Sequence, residues 1–372
     1  MDEQGTLILS GGNALGAYQG GAYETLHERG FRTDRLFAVS TGAVNAALIA
    51  GNPPEARVSA LRAFWGDAGQ DGAWAYTPAW ASTWDNRRQR ALQSLLLGSP
   101  AFYRPRFPGA LSMLPGTPSD TGLYDLAPLR ENLERQVDFD RLNDGQIRVV
   151  IVAVDANSGE ELRFDSAKTP IGVNHILASC GFIPFFPPTR LEGRVVVDGG
   201  MSANLPLEAA LDEPAPHDRL CIALDLFRRL GPDFKTVGQS MDRQLELLLS
   251  TQSWRALKSL RQCHELRRQL RLLAGRIPER QRDDPALAAA LAEGAEVEGA
   301  ITLLMLSHAG VPHDTEMRAF DFSRTSLAER WEAGRTDMRH AWEALGDRRA
   351  APGEFAVHTH SGRDSGPQAA SD

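Results

Sequence analysis

Cysteine is scarce in this chain. Three occur in 372 residues, Cys180, Cys221 and Cys263, and no two form a CxxC pair. An odd number at such spacing gives neither a disulfide framework nor a zinc site, and it fits a reducing compartment. Long hydrophobic runs are missing too: no apolar stretch approaches the ~18 residues of a membrane span. The opening MDEQG is acidic where a secretory leader would be basic. Nor is there a surplus of positive charge. Forty Lys and Arg stand against 48 Asp and Glu, a formal charge of −8, which argues against nucleic acid as an obligate partner because phosphate binding calls for a basic face. Together these absences predict a cytoplasmic protein, either free in solution or peripheral to a membrane, that binds no nucleic acid.

What is present suits a folded domain. With 42% hydrophobic and 24% charged residues, the chain can bury a full core, and its length fits one large α/β domain with insertions. TLILS (6–10), RLFAVS (35–40), QIRVVIVAVD (146–155), RVVVDGG (194–200), LCIALDLF (220–227) and ITLLMLS (301–307) read as strands. Helical spacing separates the first of them, which is the βαβ pattern of a parallel sheet. SGEELRFDS reads as the return of a hairpin. Between Gly51 and about residue 125 the pattern loosens into a Trp- and Pro-rich insertion, with Trp74, Tyr76, Trp80, Trp84, Phe102 and Tyr103 as material for an apolar pocket or a packed cap. Residues 237–275 and 285–298 read as a second, helical insertion. Its run WRALKSLRQCHELRRQLRLLAGR is basic within an acidic protein and suits either a solvated helix face or an anionic surface. Ser326 with Glu329 three residues on is a capping-box pattern for a last helix. The polar, Gly- and Ser-rich residues 348–372 read as disorder.

Two strand-to-helix turns carry the chemistry. The first, Gly11-Gly12-Asn13-Ala14-Leu15-Gly16, leaves backbone N–H groups unpaired at a helix start, where an anion binds. A dinucleotide site would need GxGxxG and an acid closing the second strand, but Ser40 stands there, and no Gly-Lys-Ser/Thr close marks a phosphate loop. The second turn supplies Ser40 itself in the setting Ala38-x-Ser40-x-Gly42. Small residues two before and two after a serine let strand and helix pass closely, as in a nucleophile elbow. A serine before a helix is also a common N-cap. What favours the elbow is that both turns face one spot beyond the carboxyl ends of adjacent strands, where a nucleophile and an oxyanion hole form a working pair.

A serine needs a base. His175, His217, His264, His308 and His313 all lie in polar, loop-like or charged helical settings. By contrast, the valines of RVVVDGG deliver Asp198 to a strand end, followed by the sharp turn Gly199-Gly200. Desolvation would strengthen that carboxylate as a base.

With these residues in view, SGGNALGAYQGG, AVSTGAVNAA and VVVDGG resemble the three motifs of the patatin-like phospholipases, and HILASCGFIPFFPP and the C-terminal FDFSRTSLAERWEAGRTDMRHA extend the similarity over most of the chain. The resemblance implies a three-layer α/β/α fold with a mainly parallel central sheet and helical insertions. It divides the chain into a core at 5–230, including a cap insertion at about 53–125, a helical extension at 231–347 and a tail. It implies a Ser–Asp dyad without histidine: Ser40 the nucleophile, Asp198 the activating carboxylate, Gly11, Gly12 and Asn13 the oxyanion hole, and Ala38, Gly42, Gly199 and Gly200 in support. No metal or cofactor is implied, and the substrate would be a lipid ester. Three positions depart from the family pattern: Asn13 for a third glycine, Leu15 for Arg or Lys, and Ala38 for the first elbow glycine. Two functions therefore stay open, a lipid acyl hydrolase and a catalytically weakened member that binds lipid or a protein.

Overall fold

The computed structural model describes residues 4–69, 91, 94–213, 217–278, 285, 287–288, 299–310 and 317–362. The strand expectations hold. β1 (Gln4–Leu9), β2 (Arg35–Val39), β5 (Arg148–Asp155), β9 (Arg219–Asp225) and β10 (Ile301–Ser307) form a parallel array in the order β10-β9-β1-β2-β5. Their near-continuous Val, Ile and Leu content reflects burial on both faces. Alternate residues divide between the two sides. Leu7, Leu9, Leu36, Ala38, Val149, Ile151, Ile222 and Leu304 enter one core; Ile8, Phe37, Val39, Val150, Val152, Cys221, Ala223 and Leu303 enter the other.

The first core is covered by α1 (Gly16–Glu28), α2 (Thr41–Ala50), α3 (Arg57–Ala68) and α9 (Arg324–Leu345). The second is covered by α7 (Leu207–Leu211) and α8 (Val237–Ala274). The result is the expected three-layer arrangement. Shorter elements complete it: a two-stranded ribbon of β3 (Arg104–Pro105) and β4 (Tyr124–Asp125), and helices α4 (Ala127–Gln136), α5 (Phe139–Leu142) and α6 (Val173–Ser179).

Three strands run against the array or beside its end in a way the βαβ pattern does not encode. β6 (Glu161–Asp165) pairs antiparallel with β5, as the hairpin expectation had it. β8 (Arg194–Asp198) is also antiparallel to β5, and β7 (Thr189–Leu191) pairs with β8.

Several expectations need correction. Residues 348–372 are not wholly without structure, because β11 (Phe355–Ser361) pairs in parallel with β10 at the sheet edge. β10, inside the extension at 231–347 and read as a strand from the sequence, and β11, in the tail, both belong to the same sheet as the core. The last helix is capped by Ser323, whose Oγ accepts the Ser326 N–H at 3.4 Å. Ser326 sits inside the helix and donates its hydroxyl to Asp321. Phe102 and Tyr103 are core residues, packed with Phe64, Tyr124, Phe186 and Phe322. Trp74, Tyr76, Trp80 and Trp84 lie outside the described residues.

The extension is locked to the core by close helix packing. α1 meets α9 through Gly20 and Gly21 on one helix and Gly334 on the other. A Cβ on Gly21 would overlap the Trp331 carbonyl oxygen, and one on Gly334 would overlap that of Tyr18. Trp331 Nε1–H donates to Glu24 Oε2 at 2.7 Å across the same contact. Gly21→Val is therefore expected to cost about 3 kcal/mol, the upper range for overpacking, read as a lowered urea midpoint. An unchanged midpoint would mean that the two helices do not pack this closely.

Candidate active site

Register explains how two residues 158 positions apart in sequence come together. β6 occupies one edge of β5 from Val150 to Val154. Along the other edge, β2 runs parallel until Val39 lies opposite Val152, and β8 arrives from the opposite direction until Asp198 lies opposite Ala153. A strand has only two edges, so β2 and β8 meet end to end along one edge of β5. Ser40 is the residue that follows β2, and Asp198 is the residue that ends β8. Both chains turn away at this point, and Gly199 permits it: a Cβ there would collide with the Val152 carbonyl oxygen.

Ser40 has φ 55° and ψ −124°, a region that is uncommon for any residue with a side chain and that clusters at functional sites. It is half-buried, and α2 begins directly after it with no side-chain cap. Ser40 is thus not an N-cap in the ordinary sense. Gly42 lets α2 ride over the backbone of Leu9 and Ser10, where a Cβ would strike both carbonyl oxygens. The start of a helix, with its partial positive charge, is brought beside the hydroxyl.

Asp198 is 1% exposed. Its Oδ1 accepts the Gly200 N–H at 2.7 Å, while Oδ2 is buried with no hydrogen-bond partner of good geometry among the described residues. Burial pushes its pKa up to about 7; the neighbouring Ser40 hydroxyl and the Gly200 N–H pull it back. The Cys180 thiol adjoins both groups, and burial, with Asp198 nearby, raises its pKa well above the ordinary thiol value. Among the described residues, one other carboxyl of this kind lies along the same rim. Asp225 ends β9 and is raised to about 7 by burial, but Ser253 of α8 faces it, and β1 separates β9 from β2. Of the two, Asp198 is the carboxyl beside Ser40.

The glycine turn divides its N–H groups. That of Gly11 donates to the Asn204 carbonyl at 3.1 Å, so Gly11 is not an oxyanion donor, contrary to the sequence expectation. Its role is spatial: a Cβ there would press on Asn204 Oδ1 and Ser40 Cβ. The Gly12 and Asn13 N–H groups have no partner among the described residues. Asn13 adopts φ 53°, which explains why a glycine would serve here and why Asn, the most tolerant alternative, replaces it. Its side-chain amide is buried without a partner among the described residues. Leu15 and Ala38, the other departures, are fully buried in apolar cores. Both side chains fill space in those cores.

Sequence reasoning missed the groups that hold these turns. Asn204 Nδ2–H returns a bond to the Gly11 carbonyl at 3.3 Å, and Gln252 of α8 accepts the Asn204 N–H at 3.1 Å. Beneath the turns, Gln19 donates to the Ser10 carbonyl at 2.9 Å, Asn45 to Gln19 at 2.9 Å, and Trp65 to Asn45 at 3.0 Å. Fully buried Arg330 of α9 donates to the Ala14, Arg318 and Asp321 carbonyls. Five of these eight bonds join residues 20 or more positions apart and none spans fewer than nine, so no local pattern announces them. Asn204 alone carries a signal, as the buried polar residue that follows the Asp-Gly-Gly turn. Among the described residues no cluster of His, Cys, Asp and Glu could hold a metal ion, and no helix is long and apolar enough to cross a membrane.

The fold and this geometry define an α/β protein with a strained serine and a buried carboxyl at the rim of a mainly parallel sheet. The family model of the patatin-like phospholipases matches residues 7–211, and a second model, described as patatin phospholipase, matches residues 249–351. The chain belongs to the patatin-like phospholipase family. A curated relative, the uncharacterized protein YqhO of Bacillus subtilis (strain 168), is 27% identical over 213 residues, covering 54% of this chain and 64% of that protein. The chain thus aligns with less than two thirds of this relative. Similar solved structures include VipD from Legionella pneumophila (16% identity, 65% of this chain and 52% of that one, TM-score 0.33). The ExoU–SpcU complex of Pseudomonas aeruginosa (17%, 94% and 73%, TM-score 0.29) and human GIVD cytosolic phospholipase A2 (20%, 44% and 22%, TM-score 0.23) are also similar.

Proposed function

We propose that this chain is a serine acyl hydrolase that cleaves carboxylic esters of lipids. The observation that carries the reading is the end-to-end meeting of β2 and β8, which sets a strained Ser40 against a buried Asp198. In this reading the Ser40 Oγ attacks the ester carbonyl while Asp198 Oδ2 takes its proton. The Gly12 and Asn13 N–H groups receive the oxyanion. Collapse of the tetrahedral intermediate expels the alcohol, which takes the proton back from Asp198. Water, deprotonated by Asp198, then attacks the acyl-enzyme, and collapse of the second intermediate releases the acid as Asp198 returns the proton to Ser40 Oγ. A base with a pKa near 7 is well poised for both proton transfers. No step calls for a metal or cofactor. The turn accommodates the Asn13 backbone and the cores accommodate Leu15 and Ala38, which favours the hydrolase reading over a weakened member.

Peripheral membrane contact is part of the same proposal. Phe107 and Met113 are 84% and 75% exposed, and Ile183 and Met201 add exposed apolar surface on the segments leading to and from Asp198. Exposed apolar side chains of this size suit a lipid surface. Co-sedimentation with phosphatidylcholine vesicles is expected to fall severalfold in Phe107→Ser/Met113→Ser, with hydrolysis of a soluble p-nitrophenyl ester unchanged. Equal co-sedimentation of the two proteins would remove these residues from the contact. The function itself is tested by hydrolysis of p-nitrophenyl esters and phospholipid vesicles by the wild type beside the dyad variants treated in the Discussion.

A further inference from the structure

The segment Ser179-Cys180-Gly181, at the end of α6, accepts the backbone N–H of both members of the candidate dyad. The Ser40 N–H donates to Ser179 Oγ at 2.8 Å, and the Ser179 hydroxyl donates in turn to the Val152 carbonyl at 2.7 Å. Two residues further on, the Gly181 carbonyl accepts the Asp198 N–H at 3.2 Å. Ser179 is fully buried. The Val152 carbonyl is a shared reference point: it receives the Ser179 hydroxyl and is the atom against which Gly199 packs. β5 therefore measures the position of Asp198 directly, through the Ala153–Asp198 pairing, and that of Ser40 through Ser179.

We infer that Ser179 is a positioning residue, which holds the strained backbone of Ser40 at the separation from Asp198 that proton transfer requires. This rests on the hydrolase reading above. Strained φ/ψ values persist only where surrounding contacts fix them, and the N–H that Ser179 holds belongs to the strained residue itself. The hydroxyl is suited to the task because it accepts from Ser40 and donates to Val152 at once; an alanine can do neither. One consequence is that the Ser40 N–H is committed, leaving Gly12 and Asn13 of the glycine turn to meet the oxyanion. Ser179 therefore acts on turnover more than on binding.

The test is steady-state hydrolysis of p-nitrophenyl butyrate by the full chain, wild type beside Ser179→Ala, Ser179→Thr and Ser179→Cys. Ser179→Ala is expected to lower kcat about 10- to 100-fold, the range for leaving one buried hydrogen-bonding group unpaired, with KM changed less than about twofold. Its acid limb in kcat/KM should move to higher pH, because a displaced Ser40 hydroxyl no longer favours the ionised Asp198. Ser179→Thr, which keeps the hydroxyl, should restore most of kcat and return the limb. A role confined to stability would lower the melting temperature and leave both the limb and the kcat of the folded protein in place. Should the alanine variant fail to fold, Ser179→Cys fills a similar volume with a weaker acceptor and should show the same changes in smaller degree. Wild-type kcat in Ser179→Ala or Ser179→Cys, or an Ala defect that Thr does not repair, overturns the inference and leaves the hydrolase reading standing. A wild type without turnover removes both.

Discussion

Ser40→Gly is expected to abolish ester hydrolysis, by a factor on the order of 10⁵ or more, and at the same time to make the protein more stable. The two effects have one origin. With φ at 55° and ψ at −124°, Ser40 pays a steric cost that glycine does not, on the order of 1 kcal/mol. Ser40→Ala removes the same hydroxyl but keeps the Cβ, so it should lose activity equally without the gain. Thermal unfolding of the three proteins separates strain from chemistry: glycine above wild type, and alanine at or slightly below it. A glycine variant no more stable than alanine would mean that the elbow is not strained, and the inference from backbone to function would lose its footing.

Asp198→Asn is expected to lower kcat/KM by at least about 10⁴-fold, since it removes the only base of the mechanism. The wild-type rate should rise with pH through about 7, where Asp198 loses its proton, and level off above. The same carboxyl makes stability depend on pH in a definite direction. Folded, Asp198 keeps its proton to about pH 7; unfolded, it gives the proton up near ~3.9. Between those values the folded state binds the extra proton. Its favourable contribution is complete below the unfolded pKa and is lost as pH rises through the folded one. Asparagine cannot titrate. Relative to wild type, Asp198→Asn should therefore gain stability on going from pH 4 to pH 8, while Asp225, present in both proteins, cancels from the comparison. A constant difference across that range would contradict the burial assigned to Asp198.

Much of the site was legible because its parts are local. Ser40 between Ala38 and Gly42 could be read from spacing, as could Asp198 at the end of a valine run and the glycine turn whose Gly12 and Asn13 N–H groups have no partner among the described residues. The encounter itself could not. β8 carries the same valine pattern in either direction, so its antiparallel course and its end-on approach to β2 appear only in the pairing with β5. Gly11 was misread for a related reason. Its N–H looks free in the sequence, yet the carbonyl that takes it belongs to Asn204, 193 residues away. Ser179 lies in the run HILASCGF, where nothing marks one serine as the holder of another residue's backbone.

The edge strand β11 was hidden differently. Every residue from Phe355 to Ser361 is only half-buried. The alternation Phe355-x-Val357-x-Thr359 is strand-like, but it is short and set among the Gly-, Ser- and Asp-rich sequence that follows, so the whole of 348–372 reads as a loose tail. The start of α9 was missed by three residues because Ser323 and Ser326 are both plausible caps, and the choice is made by Asp321, which accepts the hydroxyl of the second.

The central claim is that Ser40 is an activated nucleophile served by Asp198. It is tested most directly by reacting the folded protein with a fluorophosphonate probe and locating the adduct by intact mass and peptide mapping. The account predicts one adduct per chain, on Ser40, absent from Ser40→Ala and strongly slowed in Asp198→Asn. A folded wild type that takes no label, or takes it equally well with Asp198 replaced, would contradict it.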